Sequence, residues 1–183
     1  MTTKAQLMTA EKLLAMPDDG YRYELIRGEL IRMAPAGHAH GREGNRVNRT
    51  LSNHVFDNEL GETYLAETGF VIERNPDTVL APDVAFVRKE REEAARDVSG
   101  YFPGPPDIAV EVISIHDRLT EITAKVALYL EAGTLMVIVV NPRNRTVQVH
   151  TPDGVTALTE GDTLDGGDVL PGWNMPVADI FGK

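Results

Sequence analysis

The chain has no cysteine among its 183 residues, which excludes a disulfide framework, a thiolate zinc site and a cysteine nucleophile. Any metal must be held by oxygen or imidazole. No apolar run approaches the ~18 residues that a spanning helix needs. The start, MTTKAQLMTAEKLLAMPDDG, lacks the uninterrupted apolar stretch of a signal peptide, so the expected location is the cytoplasm with no membrane partner. Positive charge is also short: 18 Lys and Arg face 28 Asp and Glu, giving a net charge of -10. That balance favours solubility and opposes non-specific attraction to phosphate backbones, so a nucleic-acid role requires a local basic surface. What remains is an ordinary globular composition, 42% hydrophobic and 25% charged, at a length suited to one core.

Residues 9 to 16, TAEKLLAM, read as a short helix capped by Thr9, and YRYELIRGELIRMA reads as two strands around a turn at Arg27-Gly28, a hairpin at a sheet edge. From about Ala39 to Leu60 the period becomes helical, with Val47, Leu51 and Val55 on one face. Arg42, Arg46 and Arg49 fall together on the opposite face as a basic stripe, which is either a solvated helix face or a phosphate contact. Short β-type runs follow at TGFVIE and DVAFVR. The charged, then Pro- and Gly-rich segment RKEREEAARDVSGYFPGPPD reads as a mobile surface excursion. IAVEVIS, a helical stretch from about Asp117 to Ala132 closed by Gly133, and LMVIVV form the pattern of a parallel βαβ unit buried on both faces. TVQVHT and GVTALTE, joined by PDG, read as a closing hairpin.

Glu111 interrupts the apolar strand IAVEVIS at the expected centre of the sheet, where an unpaired carboxylate would cost several kcal/mol. Either an arginine or a divalent cation must compensate it. Asp83 follows Pro82 at the start of DVAFV, as a simple turn residue or as a partner of Glu111. Two carboxylates on adjacent strands can hold one hard cation such as Mg²⁺ and leave positions open for water and a substrate phosphate. Lys125 lies at the edge of the stripe formed by Leu119, Ile122, Val126 and Tyr129. It can reach inward or pair with Glu121 one turn away. Ser114 and Asp117 fit a capping box.

P82-D83, Glu111 in an apolar strand and a following lysine together resemble the PD-(D/E)XK nuclease superfamily. YELIRGELIRMAP, HGR at His40 to Arg42, ETGFVI, APDVAFVR, PPDIAVEVIS, K125VALYLEAG, VIVVNPRNRTVQVH and GGDVLPGW extend the match. Over nearly the whole chain they resemble the Uma-two family of endonucleases. The resemblance implies Asp83 and Glu111 as Mg²⁺ or Mn²⁺ ligands, the carbonyl of Val112 as a third oxygen, and Lys125 as the catalytic lysine. The superfamily's basic signature places its lysine two residues after the acid, where this chain has Ile113; the family resembled takes it from the following helix. The family also more often has Pro or a small residue in place of Ile115 or His116. Glu24 and His40 match positions that the family keeps polar, as accessory candidates.

The expectation is therefore an α/β fold, a restriction-endonuclease-like mixed central sheet flanked by helices with peripheral hairpins. It spans a single domain over 1-183: an N-terminal helix and hairpin at 1-36, a nuclease core at 37-141, and a C-terminal hairpin and tail at 142-183. The expected function is Mg²⁺-dependent DNA endonuclease, working as a homodimer that presents two sites to two strands, with Arg42, Arg46 and Arg49 as candidate DNA contacts. The rivals are a non-catalytic interaction module on the same fold and a metal-dependent hydrolase of a small phosphate ester.

Overall fold

The structure is a computed structural model that describes residues 7–115 and 117–182, so the departure at His116 and the first residues of the N-terminal segment lie outside the described residues. Thr9 caps helix α1 (Ala10–Leu14), its hydroxyl accepting from Lys12 N at 3.3 Å. Strands β1 (Arg22–Ile26) and β2 (Glu29–Met33) form the expected hairpin. Its two turn residues, Arg27 and Gly28, both have positive φ, 49° and 82°, which suits the twist of a two-residue hairpin loop. Helix α2 (His38–Asp57) buries Val47, Leu51 and Val55. Strands β3 (Gly61–Leu65), β4 (Phe70–Glu73), β5 (Thr78–Leu80) and β6 (Val84–Arg88) follow.

The segment expected to be a mobile excursion is instead structured. It forms helix α3 (Lys89–Ala95) and strand β7 (Phe102–Pro103), which pairs parallel with β4. Buried Asp107 anchors it by accepting from Arg91 Nη1 at 3.0 Å and Arg88 N at 2.9 Å. Strand β8 (Ile108–Val112), helix α4 (Leu119–Ala132) and strand β9 (Met136–Asn141) are the expected βαβ unit, with β8 and β9 parallel. Gly133 ends α4 at φ 104°, a left-handed position that favours glycine. The capping box expected at Ser114 and Asp117 is only half present. Asp117 Oδ2 accepts from Ser114 N at 2.7 Å, but the helix starts later, where Glu121 accepts from Arg118 N. The chain closes with the hairpin β10 (Thr146–Thr151) and β11 (Gly154–Leu158), the pair β12 (Thr163–Asp165) and β13 (Asn174–Pro176), and helix α5 (Val177–Phe181).

The fold is mixed α/β. A six-stranded sheet runs β11-β10-β9-β8-β6-β3, and a five-stranded sheet runs β2-β1-β5-β4-β7. Alternate residues of β6, β8 and β9 feed two cores. Phe86, Val110 and Ile138 pack with Val47 and Leu51 of α2 and with Trp173 and Phe181. Ala85, Ala109 and Val139 pack with Ile122, Val126 and Tyr129 of α4 and with Phe70 and Leu80 of the second sheet. Burial on both faces is why these strands read as continuous apolar runs. The chain crosses from one sheet to the other at Ala81-Pro82-Asp83, between β5 and β6. The N-terminal hairpin, expected to be peripheral, therefore sits beside the ends of β6 and β8.

Candidate active site

Asp83, Glu111, Lys125, Glu24 and His40 all line one cavity of about 530 Å³. Each comes from a different element. β6 and β8 are antiparallel neighbours paired at Val84 and Val110, which brings Asp83 and Glu111 to the same end of that pair. Glu24 belongs to β1 of the second sheet, His40 to the first turn of α2, and Lys125 to α4.

Of the two directions open to Lys125, it takes the inward one. Its ammonium lies 2.8 Å from Glu111 Oε1 and 2.9 Å from Glu24 Oε1, while Glu121 turns away to the helix start. The cation beside Glu111 is thus a lysine rather than an arginine. Tyr129, one turn beyond Lys125, donates its hydroxyl to Glu111 Oε1 at 3.0 Å, and Ala81 N donates to Glu24 Oε1 at 3.0 Å. Glu24, Glu111 and Lys125 are all buried, so two carboxylates share one ammonium in a region of low dielectric. Burial pushes Glu111 up to about 7; Lys125 opposes that rise, and Asp83 and Glu24 add to it. Burial alone would lower the Lys125 pKa, but Glu111 and Glu24 outweigh it and hold the ammonium charged well above its ordinary range. Burial, and then the charge of Glu111, pushes the Tyr129 hydroxyl well above its usual value.

Asp83 makes different contacts. Its Oδ2 accepts from Val112 N at 2.7 Å, and its Oδ1 lies 2.8 Å from His40 Nε2. The Val112 N–H faces away from β9, since Ile113 N is the one that donates to Val140 O across that ladder. In an extended strand the Val112 carbonyl lies on the same side as its N–H, toward Asp83. The hydrogen bond to Asp83 raises the His40 pKa despite the opposing effect of burial. The other ring nitrogen, Nδ1, is buried with no hydrogen-bond partner among the described residues.

The expected arginine stripe divides. Arg46 is half-buried and donates to Ile180 O at 3.1 Å, fastening α2 to α5. Arg42 bonds Glu43 Oε1 at 3.1 Å, and Arg49 is exposed. None of the three lines the cavity. Among the described residues, no group of three His, Asp or Glu side chains is already arranged as a metal cage.

Sequence reasoning picked out Asp83, Glu111 and Lys125 but assigned Tyr129 only to the core. Its signal was its position four residues after Lys125 on the same helix face. The pairing of Glu24 with Lys125 had no local signal.

A family model described as "Uma2: Putative restriction endonuclease" matches residues 10–178. The crystal structure of a putative nuclease belonging to DUF820 from Anabaena variabilis superposes with a TM-score of 0.81 at 19% identity, covering 95% of this chain and 97% of that one. At that identity the likeness is one of fold. No curated protein matches the chain.

Proposed function

The chain belongs to the Uma2 restriction-endonuclease family, and on that premise we propose that it hydrolyses DNA phosphodiester bonds with a divalent cation, Mg²⁺ or Mn²⁺. The observation that carries this reading is the buried Lys125 ammonium between Glu111 and Glu24, in a cavity that Asp83 also lines. A lysine required only for solubility would not be buried against two acids.

The donors available suit a hard cation. Asp83, Glu111 and the Val112 carbonyl supply oxygen; burial does most to raise Glu111 to about 7, and the further rise that Asp83 and Glu24 add is the kind that a divalent charge would relieve. Such a cation, when bound, polarises the phosphate and raises the acidity of a nearby water. The chain's own groups have separable tasks. Asp83 and Glu111 bind; His40 and the Val112 N–H hold Asp83 in orientation; Tyr129 holds Glu111. Lys125 presents a compact positive charge to the attacking water or to the phosphoryl oxygens, and Glu24 keeps that ammonium in place. Bond cleavage needs no covalent enzyme intermediate, and the family likeness implies a 5′-phosphate product. A homodimer, which would present a site to each strand, is part of the same proposal and is checked by sedimentation.

The test is incubation with supercoiled, linear and branched DNA, with and without Mg²⁺ or Mn²⁺. Metal-dependent conversion of any of them supports hydrolysis. No conversion of any substrate with either metal favours the interaction module. A second reading, hydrolysis of a small phosphate ester, gains from the enclosure of the site, and a chromogenic phosphodiester in the same assay separates it from DNA cleavage.

A further inference from the structure

Resting on the nuclease reading, we propose that the cavity takes one unpaired nucleotide of a DNA strand, its base against tyrosines of the wall and its phosphodiester over Asp83 and Glu111. Single-stranded or frayed DNA is then the substrate, rather than intact duplex.

Size comes first. At about 530 Å³ the cavity falls within the ordinary range for small-ligand pockets, and the two carboxylates open into it rather than onto a broad groove.

The charge of the lining decides between strand forms. Seven carboxylate residues line the cavity against two cations, Arg22 and Lys125, and Lys125 is already shared by Glu24 and Glu111. Duplex DNA presents one phosphate per ~1.7 Å of its axis and is held by many Lys and Arg contacts. A lining this acidic repels such a surface, and the arginines of α2 lie outside it. A single nucleotide brings only one phosphodiester, whose charge a bound divalent cation would offset.

The walls supply the rest of the affinity. Tyr21, Tyr23 and Tyr101 all line the cavity. Gly69 has no side chain because a Cβ there would collide with the Tyr101 ring, so the ring is seated directly against the backbone of the wall. The Arg32 guanidinium, outside the cavity lining, lies 4.4 Å from the centre of the Tyr21 ring and covers one of its faces, setting a cation beside the wall for the next phosphate along a strand. Base–aromatic stacking is sequence-tolerant and needs an unpaired base.

Anisotropy with a fluorescein-labelled oligothymidylate and a blunt duplex of the same length, with Ca²⁺ in place of Mg²⁺, tests this without turnover. The single strand is expected to bind at least tenfold tighter than the duplex. Tyr21 is 51% exposed, so Tyr21→Ala should fold normally; it should weaken single-strand binding by roughly fivefold to a hundredfold, while Tyr21→Phe retains it. Equal binding of the two forms, or unchanged binding by Tyr21→Ala, overturns the proposal. Cleavage separates it from the reading beneath it. If the single strand binds with this pattern but neither Mg²⁺ nor Mn²⁺ promotes its cleavage, hydrolysis falls and the nucleotide pocket stands. If the blunt duplex is cut as fast as the single strand, the pocket falls and the nuclease stands.

Discussion

Lys125 Nζ lies 2.9 Å from Glu24 Oε1, a contact that joins the helix of the βαβ unit to the first strand of the second sheet. The N-terminal hairpin is thereby part of the site rather than an appendage. Removing either partner should have effects that the other can report.

Lys125→Met should leave Glu24 and Glu111 buried without their shared cation. Breaking a buried pair from one side costs about 3–5 kcal/mol, so the melting temperature should fall sharply near neutral pH. Adding Glu24→Gln to that variant should recover part of the loss. Thermal melts of the single and double variants check this, and additive losses would mean that Lys125 and Glu24 are not coupled.

Stability of the metal-free protein should carry the mark of Glu111. Its carboxyl is raised from 4.5 to about 7 in the folded chain, so the folded state binds the proton more tightly than the unfolded one. The stability this gives is fully present below pH 4.5 and is lost as pH rises through about 7. Between those limits it amounts to as much as about 3 kcal/mol. Urea denaturation in EDTA across that range, compared with Glu111→Gln, measures it. The difference between the two proteins should shift in favour of the variant as pH rises, and parallel curves would show that Glu111 titrates normally.

His40→Ala removes the partner of Asp83 Oδ1 while leaving Val112 N on Oδ2. Loss of an orienting group of this kind lowers metal affinity or activity by about 10–100-fold. Calorimetric titration with Mn²⁺ together with cleavage rates should show that reduction with an unchanged circular dichroism spectrum. Full Mn²⁺ affinity and full activity would make the His40–Asp83 contact purely structural.

The three arginines of α2 should separate. Arg46→Ala should cost about 1 kcal/mol through the lost bond to Ile180 O. The double change Arg42→Gln and Arg49→Gln should lower the melting temperature, through loss of the Arg42 partner of the buried Glu43 carboxylate rather than through the exposed Arg49. It should also leave the salt dependence of single-strand binding unchanged, because neither residue lines the cavity. If both met phosphates, the log-log slope would flatten by up to about 1.4, at ~0.7 per contact on a single strand.

The centre of the fold was readable because β8 and β9 are apolar on both faces, and Glu111 was conspicuous there for the same reason. The segment after β6 was not. Helix α3 buries none of its residues, so its charged sequence carried no apolar period, and what orders the segment is its link through Arg91 to Asp107. The short strands β5 and β7 gave too few alternating residues to stand out from turns. Within the site, the inward reach of Lys125 could be read from its place at the edge of an apolar stripe. Its second partner could not, because the Glu24 contact exists only once two sheets have packed together. Arg46 failed in the opposite sense: its helical position put it on an open face, and the carbonyl of Ile180 at the far end of the chain covers it.

The most direct measurement is a time course of DNA cleavage by the wild-type protein, Asp83→Asn, Glu111→Gln and Lys125→Met, each verified as folded, with Mg²⁺ or Mn²⁺ and with EDTA. Wild type should cleave only with metal, and each variant should lose at least about 100-fold in rate, on the order of 3 kcal/mol in the barrier. Folded variants that cleave as fast as wild type, or cleavage that persists in EDTA, would contradict hydrolysis by Asp83, Glu111 and Lys125.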